Sequence, residues 1–306
     1  MGSCSASGGT ANNNKGEQSM RETGGMIYFD CLARNCALLF ALVVALGFLL
    51  SAPVILADPN RQSAPTALQQ EIEKQTERLR SPEVEERRDA VMRLAVMRRP
   101  EAARATLPAL RDPAPIVRAT ATGALLSLPG EESAASLIPL LTDLDEFVRR
   151  EAVYALGHTR SRSAVPPLIE RLNSDRSDQV RAAAVVGLGE IGDESAVVVL
   201  AQILAPTSST PATQKKRKSK ENEFVLRATA RALGQIRSRS GVPALVRSLA
   251  DDSFSQDVKR EATRALGLIG DQSAVPALRA AMTSNDPYLS QIANEAVRKL
   301  SAAANP

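Results

Sequence analysis

Few residues in this 306-residue chain have side chains suited to catalysis or metal binding. Its one histidine, His158, is followed by Thr159 in a predicted turn. A single imidazole makes no metal site without thiol or acid partners. All three cysteines precede residue 37: Cys4, Cys31 and Cys36. We therefore expect no metal, no cofactor, and no disulfide in the rest of the chain.

The sequence also contains no recognised motif for nucleophilic catalysis or nucleotide binding. No serine pairs in a recognised motif with a histidine and a carboxylate, and no Walker-type loop occurs. The glycines of GLGEIGD, which starts at Gly187, approach the spacing of a dinucleotide fingerprint but do not follow a strand. From these observations we expect a protein that is not an enzyme.

One short segment carries the excess positive charge. The formal net charge is +4, and it becomes −1 without Lys215, Lys216, Arg217, Lys218 and Lys220. They lie in a segment rich in Pro, Ser and Thr, at about 206–222, which predicts a flexible surface insertion. The segment is either a tolerated solvated loop or a polyanion-binding site for an anionic membrane surface or an acidic partner. Nucleic acid is a poorer candidate, because no aromatic platform accompanies the charge.

The elements that must position any site come from a repeat of about 32 residues. The decapeptide VRREAVYALG, at 148–157, has relatives along most of the chain, with steps of 31, 31, 32, 45, 33 and 34 residues between equivalent leucines. Those leucines are Leu94, Leu125, Leu156, Leu188, Leu233, Leu266 and Leu300. Most units carry a second apolar segment such as SAVPPLIERL, at 163–172. Each unit is therefore predicted to be a hairpin of helix A and helix B.

Local signals predict where these helices begin and end. Helix A is predicted to end at a glycine, which tolerates the left-handed geometry of a helix end. These glycines are Gly157, Gly189, Gly234 and Gly267. Helix B is predicted to begin at a serine that caps its N-terminus. These serines are Ser163, Ser195, Ser240 and Ser273. Because one hairpin cannot bury both of its apolar sides, the hairpins must stack. We predict an all-α fold, an α-solenoid of about six hairpins plus a terminal helix.

Three motifs carry a family resemblance: the valine–basic pair that opens helix A, the A-x-x-A-L-G that closes it, and the S-A-V-P-x-L of helix B. Over about residues 81–303 the chain resembles HEAT-like repeats of the phycobilin lyase type. The resemblance implies a right-handed, armadillo-like superhelix with the B helices on its concave side. A HEAT-type metal hydroxylase would need several His–Glu pairs, which one histidine cannot supply.

The resemblance also implies a ladder in which the basic residue after the valine meets an acidic residue of the preceding turn. The matching basic residues are Arg118, Arg149, Arg181 and Lys259. The candidate acidic partners are Asp112, Asp143 or Asp145, Asp175 or Asp178, and Asp257. Leu226 departs from the pattern, and Arg227 is the expected substitute. We interpret this ladder as structural.

The N-terminal quarter predicts export. Residues 1–35 read as a disordered extension and basic n-region, and 36–57 form an uncharged run of 22 residues, long enough to cross a bilayer. Ala57 suits the last position of a signal cleavage site. A cleaved signal peptide is favoured over a membrane anchor, and both place the repeats in the periplasm or cell envelope. Residues 58–80 are predicted to form a linker and a helix that caps the repeats.

Family geometry places one side chain from each of three B helices in a row on the concave side: Glu170, Gln202 and Arg247. Pro139 and Ala280 lie at the ends of this row. Mixed charge favours protein recognition, so we expect an exported, non-enzymatic scaffold that binds another protein. Two alternatives stay open: a lyase-like subunit resembling the bilin lyases, and polyanion binding through the basic insertion. Export argues against the former, since chromophore attachment is a cytoplasmic task in that family.

Overall fold

The computed structural model describes residues 66–204 and 222–304, and this part of the chain is helical without strands. Its fourteen α-helices are α1 (Ala67–Arg78), α2 (Val84–Val96), α3 (Pro100–Ala105), α4 (Pro115–Ala124), α5 (Gly130–Leu137), α6 (Glu146–Thr159), α7 (Val165–Ser174), α8 (Asp178–Ile191), α9 (Val197–Leu204), α10 (Glu223–Ile236), α11 (Val242–Ala250), α12 (Gln256–Ile269), α13 (Val275–Ala281) and α14 (Pro287–Ala304). The even-numbered helices from α2 are the A helices, and the odd-numbered helices from α3 are the B helices. Six hairpins and a terminal helix result, which confirms the predicted α-solenoid.

The repeat pattern marks the core. The seven equivalent leucines lie in the A helices or, for Leu125, directly after α4, and they are at most 2% exposed. The B helices bury leucines of their own in the same cluster: Leu137, Leu168, Leu200, Leu245 and Leu278. This cluster of buried side chains includes members from Val91 to Leu300. Each A helix packs against the next A helix, and each B helix from α5 onward packs against the A helix of the following unit, so the core is shared between neighbouring units.

Helix α1 contacts α2 and α3 at the beginning of the stack. Its N-cap, Thr66, forms a capping box with Gln69. At the other end of the helix, Arg78 donates to Asp89 of α2 at 2.7 Å, and Gln75 is buried. A polar helix can therefore cover the first hairpin without leaving a large apolar face exposed.

The predicted ends of the A helices are wrong. Helices α6, α8, α10 and α12 continue beyond their glycines, and the left-handed residues that end them lie three positions later: Arg160, Gly192, Arg237 and Gly270. The glycines are required by packing, because a Cβ atom on Gly157 would lie 2.6 Å from the Cα atom of Gly187 on α8. On Gly234, a Cβ atom would lie 2.7 Å from the Cα atom of Ala265.

The predicted N-caps of the B helices are also wrong, by two residues. The capping side chains are Ser161, Asp193, Ser238 and Asp271. They accept from the N–H groups of the serines that we expected to be caps: Ser163, Ser195, Ser240 and Ser273. Each such serine lies inside a short 3-10 turn that precedes the B helix, so the cap must stand before that turn.

Helix stacking continues across the long repeat step. Helix α9 ends at Leu204 and α10 begins at Glu223, yet α10 packs directly against both α8 and α9. Asn222 caps α10 and also donates to Asp178 of α8 at 3.0 Å. The intervening segment is therefore an insertion between two hairpins that pack as neighbours.

Candidate functional site

The predicted binding row lies on exposed positions of three consecutive B helices. Glu170 stands on α7, Gln202 on α9 and Arg247 on α11, and the structure leaves all three side chains exposed. Glu170 accepts from the neighbouring Arg171 at 2.5 Å. The end positions Pro139 and Ala280 are exposed too. A role of this row in binding stays a prediction.

A ladder of arginine–aspartate pairs joins successive units. The guanidinium of Arg118 holds both oxygens of Asp143 at 2.8 Å, and that of Arg149 holds Asp175 at 2.8 and 3.0 Å. Arg118 donates further to the main-chain carbonyls of Asp112 and Pro113 at 2.8 and 3.2 Å. One guanidinium therefore fixes two consecutive turns in a bidentate geometry that lysine cannot reproduce.

The direction of this pairing corrects our expectation. Arg118 was expected to meet the carboxylate of the preceding turn, Asp112, but that turn contributes main-chain oxygens and the carboxylate comes from the next unit. Lys259 does not meet Asp257 either, because it donates to Asp252 at 3.1 Å. Of the expected pairs, Arg181 and Asp178 contact each other at 3.1 Å.

Two members of the ladder escaped the sequence analysis. Arg87 holds Asp112 at 2.6 and 2.8 Å, and Arg260 contacts Asp286 at 2.8 Å. The 31-residue spacing from Arg87 to Arg118 was the available signal. It was obscured because Glu86 replaces the usual valine. The expected substitute Arg227 lies 4.0 Å from Asp257, a looser contact.

The electrostatics of the ladder indicate permanent charge. Burial alone would raise the pKa of the Asp143 carboxyl, but hydrogen bonds from Arg118 and the N–H of Asp145 outweigh burial, so this pKa lies below its usual range. The pKa of Asp175 is likewise low, since Arg149 and the N–H of Ser177 outweigh burial. These carboxylates stay ionised and join units together, rather than serve as acids or bases.

His158 has an acid partner that the sequence analysis did not find. It lies in the last turn of α6 rather than in a loop, and its Nδ1 atom is 3.2 Å from Oε2 of Glu190 on α8. The same atom is 3.0 Å from the main-chain oxygen of Tyr154, and the two rings lie 4.4 Å apart. Within the described ranges, no group of three or more His, Cys, Asp or Glu could hold a metal ion.

Several predicted features lie outside the described residues. They are the cysteines Cys4, Cys31 and Cys36, the uncharged run 36–57 with the cleavage position Ala57, and the basic residues Lys215, Lys216, Arg217, Lys218 and Lys220. In the part that the structure describes, no helix is both long and apolar enough to cross a membrane. Export and polyanion binding stay predictions.

Comparison with known proteins gives a family match and several more distant similarities. The family described as HEAT repeats matches residues 72–156, 134–215 and 210–298. The bilin biosynthesis protein PecE of Nostoc sp. strain PCC 7120 is 38% identical over 64 residues, which is 21% of this chain and 25% of PecE. The chain thus matches about a quarter of the length of that relative.

Among solved structures, the CpcE–CpcF complex of phycocyanin lyase from Nostoc sp. PCC 7120 has a TM-score of 0.45 at 24% identity, with 74% of this chain and 86% of that chain covered. A designed armadillo repeat protein has a TM-score of 0.38 at 19% identity, with 75% and 99% covered.

These comparisons correct one expectation. We expected a protein that is not an enzyme, and the match to a protein named for bilin biosynthesis contradicts that expectation.

Proposed function

Because the chain belongs to the HEAT-repeat family, we propose that its stacked hairpins bind a protein partner, and that they do so as a lyase-type subunit resembling those of bilin biosynthesis. The exposed, in-register row on the B helices carries the first part of this proposal. The similarity to PecE supports the second part.

Rigid stacking suits the B-helix face to partner binding. Arginine–aspartate pairs join the turns before α6 and α8, and the A helices from α6 to α12 pack closely at their glycines, so the helices that carry the row are held in register. A partner that meets a preformed row pays little ordering entropy on binding. Glu170, Gln202 and Arg247 present negative, neutral and positive character in turn, which favours a partner with complementary charges.

The test is capture of a partner by the full chain and by a charge-altered variant. We expect Glu170→Lys, Gln202→Lys and Arg247→Glu together to reduce capture at least tenfold, because charges at the centre of an interface set both register and affinity. Crosslinking followed by mass spectrometry measures this loss. Circular dichroism should show unchanged helicity, since all three side chains are exposed.

A matched control places the same substitutions on A helices. Glu85→Lys, Gln235→Lys and Arg298→Glu change the net charge equally and also alter exposed side chains. Capture by this control should equal that of the unaltered chain. Equal capture by both variants would remove the B-helix face from consideration.

The lyase part is tested separately. The captured partner is expressed with and without this chain, and a bilin is supplied in both cases. The partner is then denatured and examined for a coloured covalent adduct. We expect the adduct to depend on this chain and to decrease in the B-helix variant. Capture without an adduct would leave partner binding standing and would refute the lyase assignment.

A further inference from the structure

A cavity of about 360 Å³ lies between the B helices α11 and α13, near the C-terminal end of the solenoid. Val246 and Leu249 of α11 form one side, and Ala281 of α13 and Leu289 of α14 form part of the remainder. Its volume falls at the small end of the range for ligand pockets, about 300–1,000 Å³. These side chains suit the aliphatic part of a small molecule, while Gln256, Ser284, Asn285 and Asp286 give the rest of the lining a polar character.

One buried cation lines this cavity. Lys259 is 7% exposed and occupies the position after the valine, where other units have the ladder arginines Arg118 and Arg149. In those units the guanidinium extends between two turns and donates to both. Lysine has a compact ammonium group without this fork, so it cannot bridge the turns in the same way.

In this unit the ion pair of the ladder is formed by the next residue, Arg260. Arg260 contacts Asp286 at 2.8 Å and Asp257 at 2.8 Å, so Asp286, which also lines the cavity, already has a cationic partner. Lys259 is therefore not needed for the inter-unit pair. A buried lysine without a structural pair is costly unless another partner meets its charge.

The ammonium of Lys259 has unused donor capacity. It carries three N–H donors, and within the described residues its carboxylate partner is Asp252, at 3.1 Å. The side chain of Asp252 is fully exposed, so water competes strongly for this pair. A carboxylate that enters the cavity can replace Asp252 in a better-shielded position.

We propose that this cavity binds the carboxylate of an organic anion with a short aliphatic stem, with Lys259 as its ion-pair partner. A single negative charge fits better than a phosphate, because one ammonium faces the cavity and Asp252 stands at its edge. The ligand is either a free carboxylic acid or an acidic side chain of a protein. This inference does not rest on the partner binding or the lyase activity proposed above.

The test compares hexanoate with hexan-1-ol, which has the same aliphatic stem without the charge. Calorimetric titration of the full chain should give at least tenfold tighter binding of hexanoate. Lys259→Met keeps the length of the side chain and removes its charge, and should weaken hexanoate binding at least tenfold. The matched control Lys299→Met alters an exposed lysine of α14 and should leave binding unchanged.

A second variant keeps the proposal falsifiable if Lys259→Met fails to fold. Ala280 is exposed and lines the cavity, so Ala280→Leu should reduce its volume and hexanoate binding without changing charge. A blocked peptide with one glutamate as its only carboxylate distinguishes the two sources: tighter binding of this peptide than of hexanoate would assign the cavity to a protein side chain. Any of three outcomes would overturn the proposal. They are equal binding of hexanoate and hexan-1-ol, unchanged hexanoate binding in both Lys259→Met and Ala280→Leu, and no binding of either hexanoate or the glutamate peptide.

Discussion

Gly157 and Gly123 are both helical glycines, but packing requires glycine at only one of these positions. On Gly157, a Cβ atom would lie 2.6 Å from Gly187 Cα and 2.9 Å from the Glu190 carboxylate. Around Gly123, no atom apart from its chain neighbours and the backbone of its own helix lies within 4 Å of the corresponding Cβ position. The same substitution to alanine should therefore have opposite effects at the two sites.

We predict that Gly157→Ala lowers the free energy of unfolding by about 1–3 kcal/mol, because α6 and α8 must move apart. Gly123→Ala should raise it by about 0.5–1 kcal/mol, because alanine is the better helix former. Urea unfolding monitored by circular dichroism measures both changes. A stabilising Gly157→Ala would show that the helices separate at little cost.

At the scale of single residues, the sequence predicts which side chains form the core. It does not predict why a particular residue type is required at a given position. Leu156 and Leu188 are predicted core residues because they recur in register, and both are fully buried. The role of Gly157 was missed because a helix-ending glycine and a close-contact glycine look alike in sequence. Only the distance between two A helices separates these explanations.

At the scale of elements, the ladder should determine how stability responds to acid. Asp175 is almost fully buried, and burial alone would raise the pKa of its carboxyl. Hydrogen bonds from Arg149 and from the main-chain N–H of Ser177 outweigh burial, so this pKa lies below the usual range. A lowered folded-state pKa stabilises the protein above the unfolded-state value, about 3.9. This contribution is lost as the pH falls through the still lower folded-state value.

We predict that Asp175→Asn lowers the free energy of unfolding by about 3 kcal/mol at neutral pH, because Arg149 loses its ionised partner in a poorly solvated position. The difference between variant and unaltered chain should shrink below about pH 4. Urea unfolding at a series of pH values measures it. The control Glu77→Gln breaks an exposed pair with Arg80 and should change stability little.

A difference that stayed constant down to strongly acidic pH would contradict the ionic origin of this effect.

The ladder itself was predicted, but its direction was not. The expected partner of Arg118 was Asp112 of the preceding turn, whereas the observed partner is Asp143, 25 residues further along the chain. The choice depends on the offset between stacked units, which no local pattern encodes.

At the scale of the whole molecule, the hairpins should stack without the basic insertion. Deletion of residues 207–221 would leave Ala205, Pro206 and Asn222 between α9 and α10, as many residues as the connection from α7 to α8 has. We predict unchanged helicity and a cooperative unfolding transition of at least equal stability, because a shorter loop loses less entropy. Thermal and urea unfolding measure this.

Partner capture by the deleted variant then separates the two binding hypotheses. Capture that survives the deletion would agree with binding through the hairpins, and capture that disappears would assign binding to the segment with Lys215 and its basic neighbours. The sequence predicted the hairpins on both sides of this segment because the repeat resumes after it. The cavity beside Lys259 was not foreseen, since the sequence shows only a lysine replacing an arginine.

The ladder also explains how such a chain can change its length during evolution. Asp143 accepts from the unit before it, and Arg149, six residues later, donates to the unit after it. A stretch of DNA that encodes this interval together with the rest of its hairpin therefore carries one half of each joint. When such a stretch is duplicated, the new copy can join its neighbours on both sides without compensating mutations. Inheritance of whole units is thus built into the joints themselves.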